Sequence, residues 1–315
     1  MRVLVTGGTG LIGRALSASL ARDGHEVLVL SRDPARAGPL PEGVRAVRWN
    51  ARTAEGWGHL ADGAWAIVNL AGASIAGEGL MPKRWTPARK DLILRSRLQA
   101  GQAVVEAVTQ AQEKPQVVVQ ASGIGYYGPR GDEVIAEDAP AGTDWLSGVA
   151  VQWEATTAPV EALEVRRVVI RSAVVLSQEG GVLPLLLLPF RFFAGGPLGG
   201  GRQWVPWIHI ADEVRAIRFL MERPEATGPF NLVAPHPLTN RELVRTIGRV
   251  LRRPAVVPVP AFALRLALGE LATLVLDGQR AVPKRLSELG FAFRFPEAEA
   301  ALRDLLVGGL QIEAT

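Results

Sequence analysis

The chain has 315 residues, of which 48% are hydrophobic and 21% charged, with a formal net charge of +4 and no cysteine. This length suits two domains, or one α/β domain with an appended lobe, and it allows a sizeable core without a disulfide or a metal staple. The absence of cysteine excludes disulfide scaffolds, thiolate zinc sites and cysteine nucleophiles, and it fits a cytoplasmic protein.

The first half of the chain predicts a doubly wound α/β fold. Short apolar runs that predict strands alternate with amphipathic stretches that predict helices. Strands apolar on both faces, in alternation with helices, indicate a parallel sheet that is covered on both sides. The predicted strands are 2–6, 26–30, 44–49, 65–70, 116–121 and 167–171, and the predicted helices are 11–22, 87–112 and 146–163.

After residue 177 glycine and proline become frequent, which predicts a smaller lobe over the ends of the sheet strands. Its expected helices are 182–193, 212–222 and 240–251. We therefore predict a domain at 1–176, to which parts of 205–235 return, and a lobe at 177–315 that includes a mainly helical region at 263–312. The stretch 182–193 has 12 residues and contains two prolines and an arginine, so it is too short to span a bilayer. We expect a buried or pocket-lining helix there, and no membrane partner.

The turn after the first strand has the spacing of a phosphate-binding loop. Residues 8–13 fit G-x-G-x-x-G, and the glycines at 7, 10 and 13 are three residues apart. Glycines there allow a sharp turn, a close approach of backbone N–H groups to a pyrophosphate, and tight packing of the first helix. The start of that helix offers unsatisfied donors to phosphates. We predict a Rossmann-type domain with dinucleotide contacts at Gly7, Gly10, Leu11, Ile12 and Gly13.

The end of the second strand bears on the choice of dinucleotide. Ser31 and Arg32 occupy the place where a 2′-phosphate would lie, and a guanidinium suits a phosphate. These residues predict NADP (NADPH) as the cofactor. Asp33 keeps NAD open if the register is shifted by one residue.

Several motifs together resemble the extended short-chain dehydrogenase/reductases. They are TGGTGLIG at 6–13, NLAG at 69–72, SGIGYYG at 122–128 and WIHIAD at 207–212. Over nearly the whole chain, the closer resemblance is to an atypical branch, the epimerase-family proteins of NAD-dependent epimerase/dehydratase type. It is carried by RW at 84–85 with Lys90, SR at 96–97, GGPLGGGRQW at 195–204, and GELATLVLDGQRAVPKRL at 269–286 in a C-terminal domain of unknown function. The resemblance implies further cofactor contacts, namely Leu70, Ala71, Gly72, Arg97, Ala121 and Ser122.

The catalytic residues of that superfamily, a Ser/Thr and a Tyr-x-x-x-Lys pair, are missing. With Glu154 as the anchor of the alignment, Leu146 falls in the tyrosine position and Ala150 in the lysine position. Gly123 falls where the Ser/Thr is expected. We therefore do not transfer the standard catalytic roles to this chain.

Two tyrosines are the candidate replacements. Tyr126 and Tyr127 follow the fifth strand, at the sheet edge where such folds bind ligands. A phenol can donate or accept a proton, and Arg97 or Lys90 could tune it. The alternative is that both tyrosines pack as turn aromatics, and that Arg97 forms a surface ion pair.

The candidate substrate residues are Arg202, Gln203 and Trp204 in the glycine-rich loop, together with His209. The loop offers donors and a flat apolar wall, which would suit an acidic or phosphorylated small molecule. The alternatives are a structural hairpin and a structural His209. We expect Asp212 to be a helix N-cap.

Three functions remain open. They are an NADP-dependent oxidoreductase acting on a small carbonyl or alcohol, a nucleotide-sugar epimerase, and a non-catalytic NADP-binding redox sensor or regulator. The four histidines are scattered without metal-ligand spacing, so no metal is expected. The 31 arginines are also scattered, which argues against a nucleic-acid partner. A homodimer is expected only by analogy with the superfamily.

Overall fold

A computed structural model describes residues 1–77 and 82–307 of the chain. The strands are β1 Arg2–Thr6, β2 Glu26–Ser31, β3 Val44–Arg48, β4 Ala66–Asn69, β5 Val117–Gly123, β6 Val134–Ile135, β7 Arg166–Ser172, β8 Val174–Leu176, β9 Trp204–Val205, β10 Trp207–His209, β11 Gly228–Leu232, β12 Leu238–Thr239 and β13 Arg280–Ala281. The α-helices are α1 Leu11–Arg22, α2 Pro87–Gln110, α3 Trp145–Ala155, α4 Leu183–Arg191, α5 Ile210–Glu222, α6 Asn240–Leu251, α7 Ala261–Leu268, α8 Thr273–Leu276, α9 Lys284–Glu288 and α10 Ala298–Leu306.

Seven strands form one parallel sheet in the order β11-β7-β5-β4-β1-β2-β3. This confirms the predicted doubly wound fold. β1 pairs with β2 on one side and with β4 on the other, so the connections leave β1 and β4 in opposite directions. The carboxyl ends of all seven strands lie along one edge, and the crevice at such a reversal point is where open α/β sheets bind ligands.

The sheet is buried on both faces, as its apolar strands require. Along β1, Val3 and Val5 pack with Leu16 of α1 in one core, whereas Leu4 packs with Val104 of α2 in the other. All five side chains are fully buried. Alternate residues of one strand thus belong to two different cores.

The predicted helix 146–163 is wrong in its second half. α3 ends at Ala155, and a separate 3₁₀ turn covers Ala158–Leu163. Pro159 has no backbone N–H, and its ring disfavours helical geometry at the preceding residue, so it favours an end of the α-helix before it.

The C-terminal lobe has its own core between α4, α6 and α10. The prediction of a buried or pocket-lining helix at 182–193 holds in part, and Val182 at its start lines a cleft. Leu183 and Phe190 are buried, but the exposed fraction of Phe192, just past the helix, is 74%. The helical region expected at 263–312 contains α7 to α10, and its last residues lie outside the described part of the chain. None of the described helices is long and apolar enough to cross a membrane.

α5 begins differently from the prediction. The N-cap is His209, and Asp212 lies inside the first turn with its side chain fully buried. Its carboxylate accepts the backbone N–H groups of Arg294 at 2.8 Å and Phe295 at 2.7 Å. Asp212 therefore fastens the last part of the lobe to α5 instead of capping the helix.

Candidate functional site

The turn between β1 and α1 is built from glycines whose positions exclude larger residues. Gly7 has φ +67°, and a Cβ there would lie 2.7 Å from the carbonyl of Leu70. A Cβ on Gly13 would lie 2.5 Å from the Gly7 carbonyl oxygen. Real Cβ atoms do not approach backbone this closely, so both positions require glycine.

The start of α1 has backbone donors without an acceptor among the residues that the structure describes. Its N-cap, Gly10, has no side chain to accept the first backbone N–H groups. These groups and the helix dipole favour an anion at this point. The cleft beside them has a volume of about 360 Å³ and is lined by Gly7, Gly10, Leu11, Ile12, Gly13, Leu70, Val174, Val175, Gly181 and Val182. The arrangement fits the pyrophosphate of a dinucleotide.

Four of these lining residues were not predicted as site residues. Val174 and Val175 lie on β8, directly after β7, and Gly181 and Val182 follow at the start of α4. Their signal was their place past the carboxyl end of β7, since all such ends meet at the ligand-binding edge.

The end of β2 presents an uncommitted cation. Ser31 is half-buried and Arg32 is exposed. In the part of the chain that the structure describes, the Arg32 side chain has no hydrogen bond or ion pair. Arg14 of α1 instead donates to the carbonyls of Ala37 and Pro39, which holds the loop after β2 against the helix. Arg32 is thus available to a ligand, whereas Arg14 is committed to the loop.

Arg97 is buried behind the NLAG segment. Its exposed fraction is 6%, and its guanidinium donates to the carbonyls of Ala73 and Ile93, both at 3.0 Å. The guanidinium also lies 4.6 Å from the centre of the Trp153 ring, and a Cβ on Gly72 would lie 3.1 Å from its Cζ. Burial lowers the pKa of Arg97 to about 10. The alternative of a surface ion pair is therefore wrong, and Arg97 supports the backbone after β4.

The backbone at Ala71 is also held in place. Its N–H donates to Thr6 Oγ1 at 3.2 Å, and that hydroxyl donates to Asn69 Oδ1 at 2.6 Å. Leu70 and Ala71 are half-buried and Gly72 is exposed. The predicted contact segment therefore lies open at the sheet edge on a fixed backbone.

A buried polar network lies beside the end of β5. Ser122 donates to Glu154 Oε1 at 2.6 Å, and the same carboxylate accepts two bonds from Arg171 at 2.9 and 3.0 Å. Burial disfavours the charge of Arg171, but Glu154 outweighs this effect and raises the pKa of the guanidinium. The hydroxyl of Ser122 therefore donates its hydrogen bond to Glu154 and not to a ligand. Ala121, directly before it, is buried as well.

The two tyrosines contact this network. Tyr127 is fully buried, and its hydroxyl donates to Asn231 Oδ1 at 2.7 Å and accepts from Arg171 Nη1 at 2.8 Å. Burial raises the pKa of Tyr127 to about 12. The half-buried Tyr126 stacks its ring on Arg171, with 3.5 Å between Cζ and the ring centre. The contacts of Tyr127 are those of a structural residue, while Tyr126 is left as the candidate proton donor.

The cation beside the tyrosines is not one of those expected. Arg97 lies over Trp153 and Lys90 over Trp145, so neither tunes a tyrosine. That prediction is wrong, and Arg171 takes the place. The partners of its side chain are Glu154 on α3, Tyr127 just after β5 and the Glu137 carbonyl after β6, which are distant from one another in the sequence.

The positions that correspond to the family's catalytic residues form an apolar wall. Leu146 packs against Gly125, where an added Cβ would lie 2.9 Å from its side chain. Ala150 is buried one turn further along α3, and Gly123 ends β5. This wall offers no proton donor.

The glycine-rich loop uses most of its polar groups internally. Gln203 donates to the carbonyls of Leu198 at 3.0 Å and Val275 at 2.7 Å. Trp204 donates to Asp132 at 2.7 Å. Arg202 is exposed. The amide of Gln203 and the indole N–H of Trp204 thus hold the loop, and only Arg202 presents a cation to solvent.

His209 has the structural role that was its alternative. Its Nδ1 accepts the backbone N–H of Ala211 at 3.0 Å, and its ring lies 4.0 Å from that of Phe295. Its exposed fraction is 3%, and burial lowers its pKa. The residue is therefore placed to cap α5, and its contacts give no support to a substrate role. In the described ranges, no cluster of three His, Asp, Glu or Cys side chains could hold a metal ion.

Comparison with known proteins identifies the family. Residues 3–233 match the model of the NAD dependent epimerase/dehydratase family, and residues 259–305 match a domain of unknown function, DUF1731. The epimerase family protein YfhF of Bacillus subtilis is 39% identical over 308 residues, which cover 97% of this chain and 98% of that protein. The epimerase family protein SDR39U1 of Mus musculus is 38% identical and covers 97% and 100%.

Two solved structures agree with these matches. The crystal structure of human epimerase family protein SDR39U1 (isoform2) with NADPH has a TM-score of 0.84 and 37% identity, covering 97% of this chain and 99% of that one. The nucleoside-diphosphate sugar epimerase of Corynebacterium glutamicum has a TM-score of 0.75 and 31% identity, covering 100% of this chain and 62% of that one. The chain belongs to the NAD dependent epimerase/dehydratase family, with an NAD(P)-binding fold of the short-chain dehydrogenase/reductase type followed by a DUF1731 domain.

Proposed function

We propose that the protein is an NADP(H)-dependent oxidoreductase that acts on a small carbonyl compound or alcohol. The observation that carries this proposal is the glycine turn, which leaves backbone donors free beside a cleft and tolerates no side chain at Gly7 or Gly13. The NADPH bound by the human relative supports the same cofactor here.

NADP(H) is favoured over NAD(H) by the end of β2. Arg32 is exposed and has no side-chain partner among the described residues, and it follows the strand that pairs with β1 beside the glycine turn. A guanidinium can give two parallel hydrogen bonds to a phosphate. Ser31 and Arg32 would hold the 2′-phosphate, and the first turn of α1 would hold the pyrophosphate.

The chemistry divides between cofactor and chain. When bound, the nicotinamide supplies or accepts a hydride. The chain orients the dinucleotide, and the apolar wall of Gly123, Leu146 and Ala150 excludes water from that side. Tyr126, stacked on Arg171, is our candidate for the proton transfer to or from the substrate oxygen.

Turnover of NADPH with a panel of small aldehydes, ketones and keto acids tests this function. We expect oxidation of NADPH with at least one carbonyl class. Tyr126→Phe should lower kcat by about a hundredfold if its phenol transfers the proton. Turnover that is unchanged in Tyr126→Phe would remove the tyrosine from the mechanism but leave the oxidoreductase assignment standing.

A second candidate is a non-catalytic NADP(H)-binding sensor. It is favoured by the apolar wall at the family's catalytic positions and by the burial of Tyr127. Tight NADPH binding without turnover of any carbonyl would select this candidate. An epimerase requires both oxidation and re-reduction through an acid–base group, so the apolar wall disfavours it.

A further inference from the structure

A cluster of two tryptophans and an ion pair lies at the start of α2, outside the dinucleotide cleft. We call Trp85, Lys90, Trp145 and Glu270 the Lys90 cluster. The two indole rings are 4.7 Å apart between centres. Lys90 Nζ lies 5.0 Å from the centre of the Trp145 ring and forms an ion pair with Glu270.

The Lys90 cluster lies on the ligand side of the sheet. Arg97 contacts Gly72 just past the end of β4, and Lys90 precedes it by two turns on the same face of α2. At 1.5 Å per residue Lys90 is roughly 10 Å further toward the helix start, beyond the strand ends. Trp145 directly precedes Leu146, the residue in the position of the family's catalytic tyrosine. The cluster therefore borders the region where a substrate would meet the nicotinamide.

The DUF1731 domain forms one wall of this region. Arg84 donates to the carbonyls of Leu266 and Ala267, which fixes the segment that carries Glu270 over the start of α2. Glu270 also borders a cavity of about 320 Å³, which is lined by Arg265, Gly269, Glu270, Ala272, Thr273, Leu276 and Asp277.

The two partners of the ion pair differ in their access to solvent. The side chain of Lys90 is 25% exposed, whereas that of Glu270 is 62% exposed. An exposed carboxylate loses little by returning to water, because exposed ion pairs contribute little to stability. A half-buried ammonium over an indole ring still needs a counter-charge, and it has three donors to offer.

We propose that the Lys90 cluster binds a small carboxylate that carries a flat apolar group, and that Glu270 is an internal counter-ion which this ligand displaces. The ligand carboxylate takes the place of the Glu270 carboxylate on Lys90, and the flat group lies along the indoles. On the cavity wall, Arg265 and Asp277 bring opposite charges, and Lys90 and Arg84 beside the same segment are both cations, so the region favours an anion once Glu270 turns to solvent. The inference goes beyond the proposed function and holds for an enzyme or a sensor, since both need a ligand site.

Calorimetric titration of the full chain with benzoate and with its neutral analogue benzamide, at fixed ionic strength, tests the proposal. We expect benzoate to bind about tenfold more tightly than benzamide. Glu270→Gln removes the competitor and should tighten benzoate binding by about threefold. Lys90→Met should weaken it by about tenfold or more.

The controls use charged residues near the cluster that do not form the pair. Asp91→Asn removes an exposed acid of α2 that pairs with Arg95 and does not line the cavity, and Lys83→Met removes an exposed lysine of the loop before α2. Both should leave the benzoate Kd within about twofold. The proposal is overturned if Glu270→Gln does not tighten benzoate binding, if Lys90→Met leaves it unchanged, or if benzamide binds as well as benzoate.

The NADPH Kd, measured in the same samples, separates this proposal from the cofactor assignment. If the unaltered chain did not bind NADPH, the proposed function would be wrong, but the proposed carboxylate site would not be affected. If Lys90→Met does not fold, Glu270→Gln decides the question, because it leaves Lys90 and both indoles in place.

Discussion

The glycine turn and the Arg171 network lie at the same edge of the sheet but differ in how their polar groups are satisfied. At the glycine turn, backbone donors at the start of α1 have no acceptor within residues 1–77 and 82–307. Around Arg171, the carboxylate of Glu154 and the hydroxyl of Tyr127 both form hydrogen bonds within the protein. Unsatisfied donors beside a cleft indicate a ligand site, whereas a completed buried network indicates a structural role.

The largest expected effect is on stability, at Arg171. Arg171→Met would leave the Glu154 carboxylate and the Tyr127 hydroxyl buried without their cation. We expect the free energy of unfolding to fall by about 3–5 kcal/mol in urea denaturation. The matched control is Arg45→Met, which breaks an exposed ion pair with Glu26 and should cost less than about 1 kcal/mol. Equal losses in the two variants would contradict the assignment of a buried structural network.

A substitution in the glycine turn should lower the affinity for NADPH. Gly13→Val places side-chain atoms where a Cβ alone would lie 2.5 Å from the Gly7 carbonyl oxygen. We expect NADPH affinity, followed by the fluorescence of the reduced nicotinamide, to fall by about a hundredfold or more. Gly148→Ala is the control, since a Cβ on Gly148 meets nothing within 4 Å and its φ is not positive. If Gly13→Val bound NADPH with the original affinity, the glycine turn would not be the pyrophosphate site.

A pH effect is expected on the face of the sheet covered by α5. Burial raises the pKa of Glu213 to about 8, and its one described hydrogen bond comes from Ser172 at 2.6 Å. A carboxyl whose folded pKa is raised stabilises the fold most while it is protonated in both states. Stability should therefore fall as pH rises from about 4.5 to about 8. Glu213→Gln should flatten this slope by about 1 kcal/mol per pH unit.

Chemical denaturation at pH 5, 6 and 7 measures the difference between Glu213→Gln and the unaltered chain. Glu137, whose pKa burial also raises, is present in both proteins and cancels in the comparison. Parallel pH profiles of the two proteins would show that Glu213 is not the group responsible.

The smallest effect concerns the choice of cofactor. Arg32→Ala should weaken NADPH binding by about tenfold, because one charge-assisted contact to the 2′-phosphate is lost. NADH binding should change by less than about twofold, because NADH lacks that phosphate. An equal loss for both cofactors would show that Arg32 does not contact the 2′-phosphate. The alternative, that Asp33 selects NAD, would then be open again.

The sequence was most informative where the determining contacts are local. The strand and helix bounds that periodicity predicts agree within two residues for most of the predicted elements, and the glycine turn is encoded in seven consecutive residues. The predicted helix at α3 is too long because it runs through Pro159, which disfavours a continuous α-helix. Local patterns were thus sufficient for the glycine turn and for six of the seven sheet strands, whereas β11 lies in the stretch 205–235 and is not among the predicted strands.

The remainder depends on contacts between distant segments. Tyr127 meets Asn231 across 104 positions, and Arg84 meets the carbonyl of Ala267 across 183. No local pattern shows that Arg171 and not Arg97 would reach the tyrosines, or that Asp212 would accept two backbone N–H groups from the far end of the lobe. Such partners are fixed only when the chain packs.

The double anchorage of Asp212 bears on how the chain can be divided. The two family models leave a gap between residues 233 and 259, which suggests a place for truncation. A chain that stopped in that gap would keep the Asp212 carboxylate but lose the amides of Arg294 and Phe295 that solvate its charge. The Asp212 carboxylate thus ties the DUF1731 domain to α5, and truncation in the gap would leave this buried charge with Arg215 as its remaining described partner.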